Sequence, residues 1–135
     1  MTQRTLTLRL ATQERTQFVP LSGRIHAEAA ALLQGSGTLH LYVPHTTAGI
    51  CVNEGYDPDV TADIDRALDR LVPWNGGYSH SEGNAAAHIK SILVGSSVLV
   101  PVRESKLHLG RWQEIFFCEF DGPRSRTVEL RFLAE

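Results

Sequence analysis

No apolar run in this sequence approaches the about 20 residues that span a bilayer, so a membrane partner is not expected. Neither charge dominates: 13 lysines and arginines face 15 aspartates and glutamates, for a net charge of −2. That balance removes the electrostatic case for a nucleic-acid or anionic-membrane partner. Cysteine is scarce. Cys51 and Cys118 stand far apart, with no CxxC pair. Reduced thiols in a cytoplasm are the simpler reading, and a disulfide between them stays open. Walker A, GxGxxG and GxSxG patterns are missing, which disfavours nucleotide folds and serine hydrolases. No internal repeat, low-complexity tract or linker interrupts the chain. The opening residues, Met1 to Leu6, alternate too soon for a signal peptide, so a cytoplasmic location is expected.

What is present suits one domain over residues 1–135. A chain of this length buries about 65–70% of its unfolded surface, enough for a real core. Leu6, Leu8 and Leu10 alternate with polar residues and predict a half-buried strand. Ser22 is placed to cap a helix from about Gly23 to Leu33, with Ile25, Ala29, Leu32 and Leu33 inward. Leu39, Leu41 and Val43 alternate in a second strand, which Pro44 interrupts at an edge or bulge. Thr46 to Asn53 reads as another strand. Asp57 and Pro58 open a helix as N-cap and first helical residue. Val60, Ile64, Leu68, Leu71 and Val72 follow at helical spacing, and Pro73 stops them. Val98, Val100 and Val102 form one face of a strand, with Pro101 again suggesting an edge. Trp112 to Phe120 is aromatic and β-branched, hence a strand. Asp121-Gly122-Pro123 turns, and Val128, Leu130 and Phe132 alternate in the last strand. Strands at both ends with helices between them predict an α+β fold: mainly antiparallel sheets packed as a sandwich, with two to three helices.

Chemistry concentrates between Tyr78 and Lys90. Ala85, Ala86 and Ala87 favour a helix that Gly95 ends. Ala85, Ile89, Ile92 and Leu93 are its expected buried stripe. Asn84 and His88 share a face, with Cβ atoms roughly 5–6 Å apart. His80 and Glu82 precede the helix, whose N-terminal N–H groups attract anions. The plain alternative is a capped helix with two surface histidines. His45 adds a third imidazole, in Pro-His-Thr-Thr. Neutral imidazole is the commonest metal ligand. However, His80 and His88 lie eight apart and match no short zinc motif. His26, His40 and His108 lack acidic or glycine-rich company and read as structural or surface residues. Glu54 follows a strand, where a loop residue can be aimed at a site. For Asp57, helix capping is the stronger reading. Gly95, Ser96 and Ser97 offer small donors at a helix-to-strand junction, or a plain C-cap. Lys90, Arg124 and Arg126 are candidate phosphate binders or simply solvated cations.

Taken in order, seven blocks make a recognisable set: Pro44 to Ala48, Asp57 to Val60, His80 to Asn84, Ala87 to Lys90, Gly95 to Ser97, Leu109 to Gln113 and Glu119 to Arg124. Together they resemble the YjbQ-like family, described as secondary thiamine-phosphate synthases. The resemblance covers essentially the whole chain. It implies a compact α+β homotrimer whose substrate is a small phosphorylated metabolite. It further implies that a pyrimidine diphosphate is joined to a thiazole phosphate, with release of pyrophosphate. Glu82 and His80 are then the expected catalytic groups. Asn84, Lys90, Ser96, Ser97, Gln113 and Arg124 are the expected substrate contacts. His45, His80 and His88 are placed around a divalent metal, with Glu82 beside it. Imidazole ligands put zinc ahead of magnesium, while diphosphate chemistry pulls the other way. The alternative is a trimeric metal- or small-anion-binding module whose synthase activity is incidental. Three departures stand out: Ser105 where the family usually has glycine, Gly55 where a polar residue follows Asn53 and Glu54, and Arg111 where threonine is common; Arg111, beside Gln113, bears on anion binding and so on substrate preference.

Overall fold

The computed structural model describes residues 4–135. Eight strands and three helices follow one another as β1 (Thr5–Ala11), β2 (Gln17–Pro20), α1 (Ser22–Glu28), β3 (Gly37–Tyr42), β4 (Ala48–Glu54), α2 (Pro58–Leu71), α3 (Ala85–Val94), β5 (Ser97–Arg103), β6 (Lys106–Leu107), β7 (Gln113–Glu119) and β8 (Ser125–Ala134). The fold is α+β. Five strands form one sheet in the order β1-β8-β3-β5-β6, and three form a second in the order β2-β7-β4. Neighbouring strands are antiparallel, as in the pairs β1–β8, β3–β8 and β4–β7.

Alternation sets the packing. Leu8 and Leu10 of β1, Leu39 and Leu41 of β3, Val100 and Val102 of β5, and Val128, Leu130 and Phe132 of β8 bury one face of the larger sheet. They meet Ile50 of β4 and Ile115 and Phe117 of β7 in the main core. Strand β7 is buried on both faces. Its other side turns Phe116 and Cys118 toward Ala87 of α3 and Leu68 of α2, where Phe120 joins them. The architecture is therefore sheet on sheet, with α2 and α3 closing the smaller sheet. The outer face of the larger sheet is left open.

Local chemistry explains most element ends. Asp57 accepts a hydrogen bond from the Asp59 N–H at 2.9 Å, and Pro58 is the first helical residue of α2. Gly95 ends α3 at φ 100°, in the left-handed region. Gly49 of β4 leaves room for that end: a Cβ there would lie 2.7 Å from the Gly95 carbonyl oxygen. Glu104 and Ser105 turn from β5 to β6 with φ of 50° and 65°. The expected glycine position at Ser105 is thus a left-handed one. Ser105 compensates by accepting a hydrogen bond from the Gly35 N–H at 2.9 Å.

Three expectations need correction. Ser22 does not cap α1; it is the helix's first residue, the cap is Leu21, and the helix ends at Glu28. Ile25, Ala29, Leu32 and Leu33 are nevertheless buried, because the chain beyond the helix follows the same wall. The buried side of α3 is Ala86, Ala87 and Lys90, while Ile92 is 81% exposed and Leu93 57%. Small residues face inward because α3 lies close against β4. The short strands β2 and β6 have no counterpart in the sequence reading; β6 is two residues long and too short to show a period.

Candidate functional site

Two chain crossings between the sheets meet at one end of the sandwich. Residues 43–47 carry the chain from β3 in the larger sheet to β4 in the smaller one. Residues 120–124 carry it back from β7 to β8. The Phe120 N–H donates to the Thr47 carbonyl at 3.2 Å and ties the crossings together. The start of α3 and the loop before it close the third side. Ser91 of α3 donates to the Thr46 carbonyl at 2.7 Å, and Val43 donates to the Ser96 carbonyl at 2.8 Å. A rigid scaffold thus presents a set of loop residues, a common arrangement for binding and catalysis.

Between these walls lies a cleft of about 420 Å³, lined by His45, His80, Glu82, Asn84, His88, Asp121, Arg124 and Arg126 among others. An adjoining recess of about 410 Å³ shares His45, Thr46 and His88 and extends to Ala48, Ile92 and Ser96. The structure brings the three expected imidazoles to one cleft. His80 and His88 stand edge to face with ring centroids 5.3 Å apart. His45 is held differently: its Nε2 accepts a hydrogen bond from the Thr127 N–H of β8 at 3.0 Å. Burial, then the Arg126 guanidinium, hold His45 below the ordinary imidazole pKa.

Behind the cleft, Glu119 and Arg126 are almost wholly buried and paired through two contacts, 2.5 and 2.8 Å. The Thr12 hydroxyl donates to Glu119 at 2.7 Å, and Arg126 donates to the Thr47 hydroxyl at 2.8 Å. One guanidinium therefore clamps both β8 and the crossing that bears His45. At the mouth, Arg124 pairs with Asp121 at 2.9 Å. Asn84 donates to the same Asp121 carboxylate at 2.8 Å, and its own Oδ1 is buried without a partner. Both cleft arginines thus face carboxylates. An incoming anion meets no guanidinium without a counter-charge, but half-exposed Arg124 spends only Nε and one terminal nitrogen on Asp121 and keeps N–H groups for it beside the imidazoles.

A divalent metal fits this arrangement poorly. Among the described residues no group of three or more His, Cys, Asp or Glu side chains is arranged to hold one. The reason is visible at His45, whose Nε2 lone pair already serves Thr127.

Other expected contacts fall outside the main cleft. Lys90 is 3% exposed and pairs with Asp69 of α2, so it pins two helices together instead of meeting phosphate. Gln113 lies at the far end of β7, where it accepts from the Gly110 N–H at 2.8 Å. Ser97 is exposed on β5, and only Ser96 reaches the recess. Arg111 stacks over Trp112 at 4.7 Å, away from the cleft. Glu54 and Asp57 line a separate surface hollow with Tyr56 and Trp112. Sequence reasoning missed Asp121, Thr47, Thr127 and Glu119 as parts of the site, and named Arg126 as a candidate phosphate binder without its buried partner. One signal was available: Glu119 is a charge inside the apolar run from Ile115 to Phe120, and such a charge requires a partner.

No helix among the described residues is long and apolar enough to cross a membrane. Residues 6–135 match the model of a family described as UPF0047 protein YjbQ-like. The chain is 44% identical over 128 residues to the UPF0047 protein YugU of Bacillus subtilis, covering 94% of this chain and 97% of that one. It is 42% identical over 126 residues to a UPF0047 protein of Methanocaldococcus jannaschii, covering 93% and 91%. Among solved structures it resembles a YjbQ/UPF0047-family protein of Clostridium acetobutylicum, with TM-score 0.90, 42% identity and coverage of 95% and 99%. A protein of Sulfolobus solfataricus superposes with TM-score 0.92 at 27% identity, covering 99% of each chain.

Proposed function

Starting from a chain that belongs to the YjbQ-like family, UPF0047, we propose that it is a secondary thiamine-phosphate synthase-type enzyme acting on small phosphorylated metabolites in the cytoplasm. In that reaction the bond from the pyrimidine's methylene carbon to the diphosphate oxygen breaks. The thiazole nitrogen supplies the electron pair for the new carbon–nitrogen bond, and pyrophosphate leaves with the old one. The convergence of three imidazoles and Arg124 on one cleft, beside a recess bearing Ala48 and Ile92, supports this reading. The recess suits a flat ring, and the polar cleft suits phosphoryl oxygens. Donors aimed at the departing diphosphate would stabilise its growing charge. We assign to His80 and Glu82, on the loop before α3, the delivery of a proton to the departing pyrophosphate. The test is incubation of the pure protein with both substrates and detection of thiamine phosphate. Product formation that falls at least tenfold in His88→Ala and Arg124→Ala, with folding retained, is expected. No product from the unaltered protein would overturn the proposal.

A second reading is favoured by the arginines, both of which already have carboxylate partners. Here the chain binds a small anion and any synthase activity is incidental. Phosphate or pyrophosphate binding without turnover of any phosphorylated metabolite would select it. Under either reading we propose a homotrimer. The support is the open face of the larger sheet, where Leu99 is 66% exposed, Leu133 50% and Tyr42 44%. These apolar side chains share one sheet face, spaced among polar residues, and that face suits burial against a second copy.

A further inference from the structure

We propose that His45 serves the cleft as a neutral hydrogen-bond donor through Nδ1–H, and neither as a base nor as a metal ligand. The role as a donor to bound anion rests on the cleft being a binding site; the protonation pattern does not. A backbone N–H can only donate. Because the Thr127 N–H points at His45 Nε2 from 3.0 Å, that nitrogen carries a free lone pair. A neutral imidazole has one N–H, so the proton sits on Nδ1. An imidazolium would set N–H against N–H at Thr127 and lose the bond.

The surroundings hold this state in place. Thr127 follows Arg126, whose guanidinium is fixed by Glu119 on one side and by the Thr47 hydroxyl on the other. Thr47 is two residues from His45, so donor and acceptor of the Thr127–His45 bond are fastened to the same cation. That cation also opposes a second positive charge on the ring, and burial acts in the same direction. The charges acting most on His45 are Arg126 and then Glu119, and His80, Glu82, His88, Asp121 and Arg124 share its cleft. The remaining ring nitrogen is the one left for the cleft.

The consequence follows from the charge balance. Arg124 and Arg126 are offset by Asp121 and Glu119, and Glu82 adds a further carboxylate. A neutral N–H donor stabilises oxyanion charge without adding a cation that must itself be desolvated. In the proposed reaction the Nδ1–H would bond the diphosphate oxygen as the carbon–oxygen bond breaks. The hydrogen stays on the ring and no proton is transferred. Coordination of a metal through Nδ1 would require removal of that hydrogen.

The protonation pattern is read directly by long-range nitrogen–proton correlation spectra of the protein labelled with nitrogen-15 histidine. The signals that vanish in His45→Asn identify His45. They are expected to show the Nδ1–H pattern at pH 7 and to keep it when zinc is added. An Nε2–H pattern, an imidazolium pattern at pH 7, or displacement of the Nδ1 hydrogen by zinc overturns the proposal. Function is read by calorimetry with pyrophosphate. Asparagine places its amide N–H near the Nδ1 position, and glutamine near Nε2. His45→Asn should bind within about threefold of the unaltered protein, and His45→Gln at least tenfold more weakly. The reverse order overturns the donor role. Pyrophosphate that does not bind the unaltered protein overturns the functional reading and the donor role together, while the spectra still judge the protonation pattern alone.

Discussion

Glu119 is 0% exposed, and its carboxylate accepts from Arg126, the Thr12 hydroxyl and the Asp121 N–H. Burial pushes its pKa up, but these donors pull harder, and the group lies below the usual carboxylate value. A depressed carboxylate contributes stability above the unfolded pKa, about 4.3, and loses it as pH falls through the folded value. Glu119→Gln leaves Arg126 buried without its counter-charge, at an expected cost of about 3–5 kcal/mol. Urea unfolding at pH 7 checks the size. A cost under 1 kcal/mol would show that Arg126 finds water or another partner. The acid limb of the stability curve should also flatten in the variant. Cysteine gives a second prediction at this scale. Cys51 and Cys118 Sγ atoms lie 3.6 Å apart on paired strands, hydrogen-bonded without a disulfide. Their hydrogen bond lowers the Cys51 pKa and raises that of Cys118, which burial raises further. Iodoacetamide on the folded protein should therefore modify Cys51 and spare Cys118. Equal labelling read by peptide mass would contradict this. Residue types at the site were legible in the sequence. Their partners were not, since nothing in Lys90 reveals Asp69, and nothing in His45 reveals which nitrogen meets β8.

Elements were legible wherever one local rule dominated. Asp57 and Pro58 started α2 because a cap and a fixed φ act within three residues. The alternation of β1, β3 and β8 was plain because each has one wet face. Strand β7 showed instead as a continuous apolar run, and only the packed structure explains that: a sheet lies on one side and two helices on the other. The face of α3 was misjudged by about one position. Periodicity gives the apolar positions, but the distance to β4 decides whether alanines or isoleucines fit beneath. Gly49 had no sequence signal for that close approach. The cap of α2 gives an expectation at this scale. Asp57→Ala should lower stability by about 1 kcal/mol and leave pyrophosphate binding unchanged, because the residue is far from the cleft wall. Denaturant unfolding and calorimetry check both halves. Loss of binding at full stability would move Asp57 into the site.

At the scale of the molecule, the open face of the larger sheet carries the trimer proposal. Leu99→Glu places a charge at its most exposed leucine, so light scattering should report a smaller species than for the unaltered protein. A monomer in both would remove the trimer, and an undisturbed trimer would move the contact elsewhere. The strand order has a further consequence. Strand β8 lies between β1 and β3, although most of the chain separates it from β1. It also brings Arg126 to Glu119 and Thr127 to His45. During synthesis, then, β1 and β3 leave the ribosome without the strand that joins them. The larger sheet cannot close, and the cleft cannot form, until residues 125–134 have emerged. Folding of this sheet thus waits for β8, with two unpaired edges exposed in the meantime. A nascent chain halted so that only residues 1–124 are outside the ribosome should be cut readily by protease. One extended past residue 134 by a linker that clears the exit tunnel should be protected.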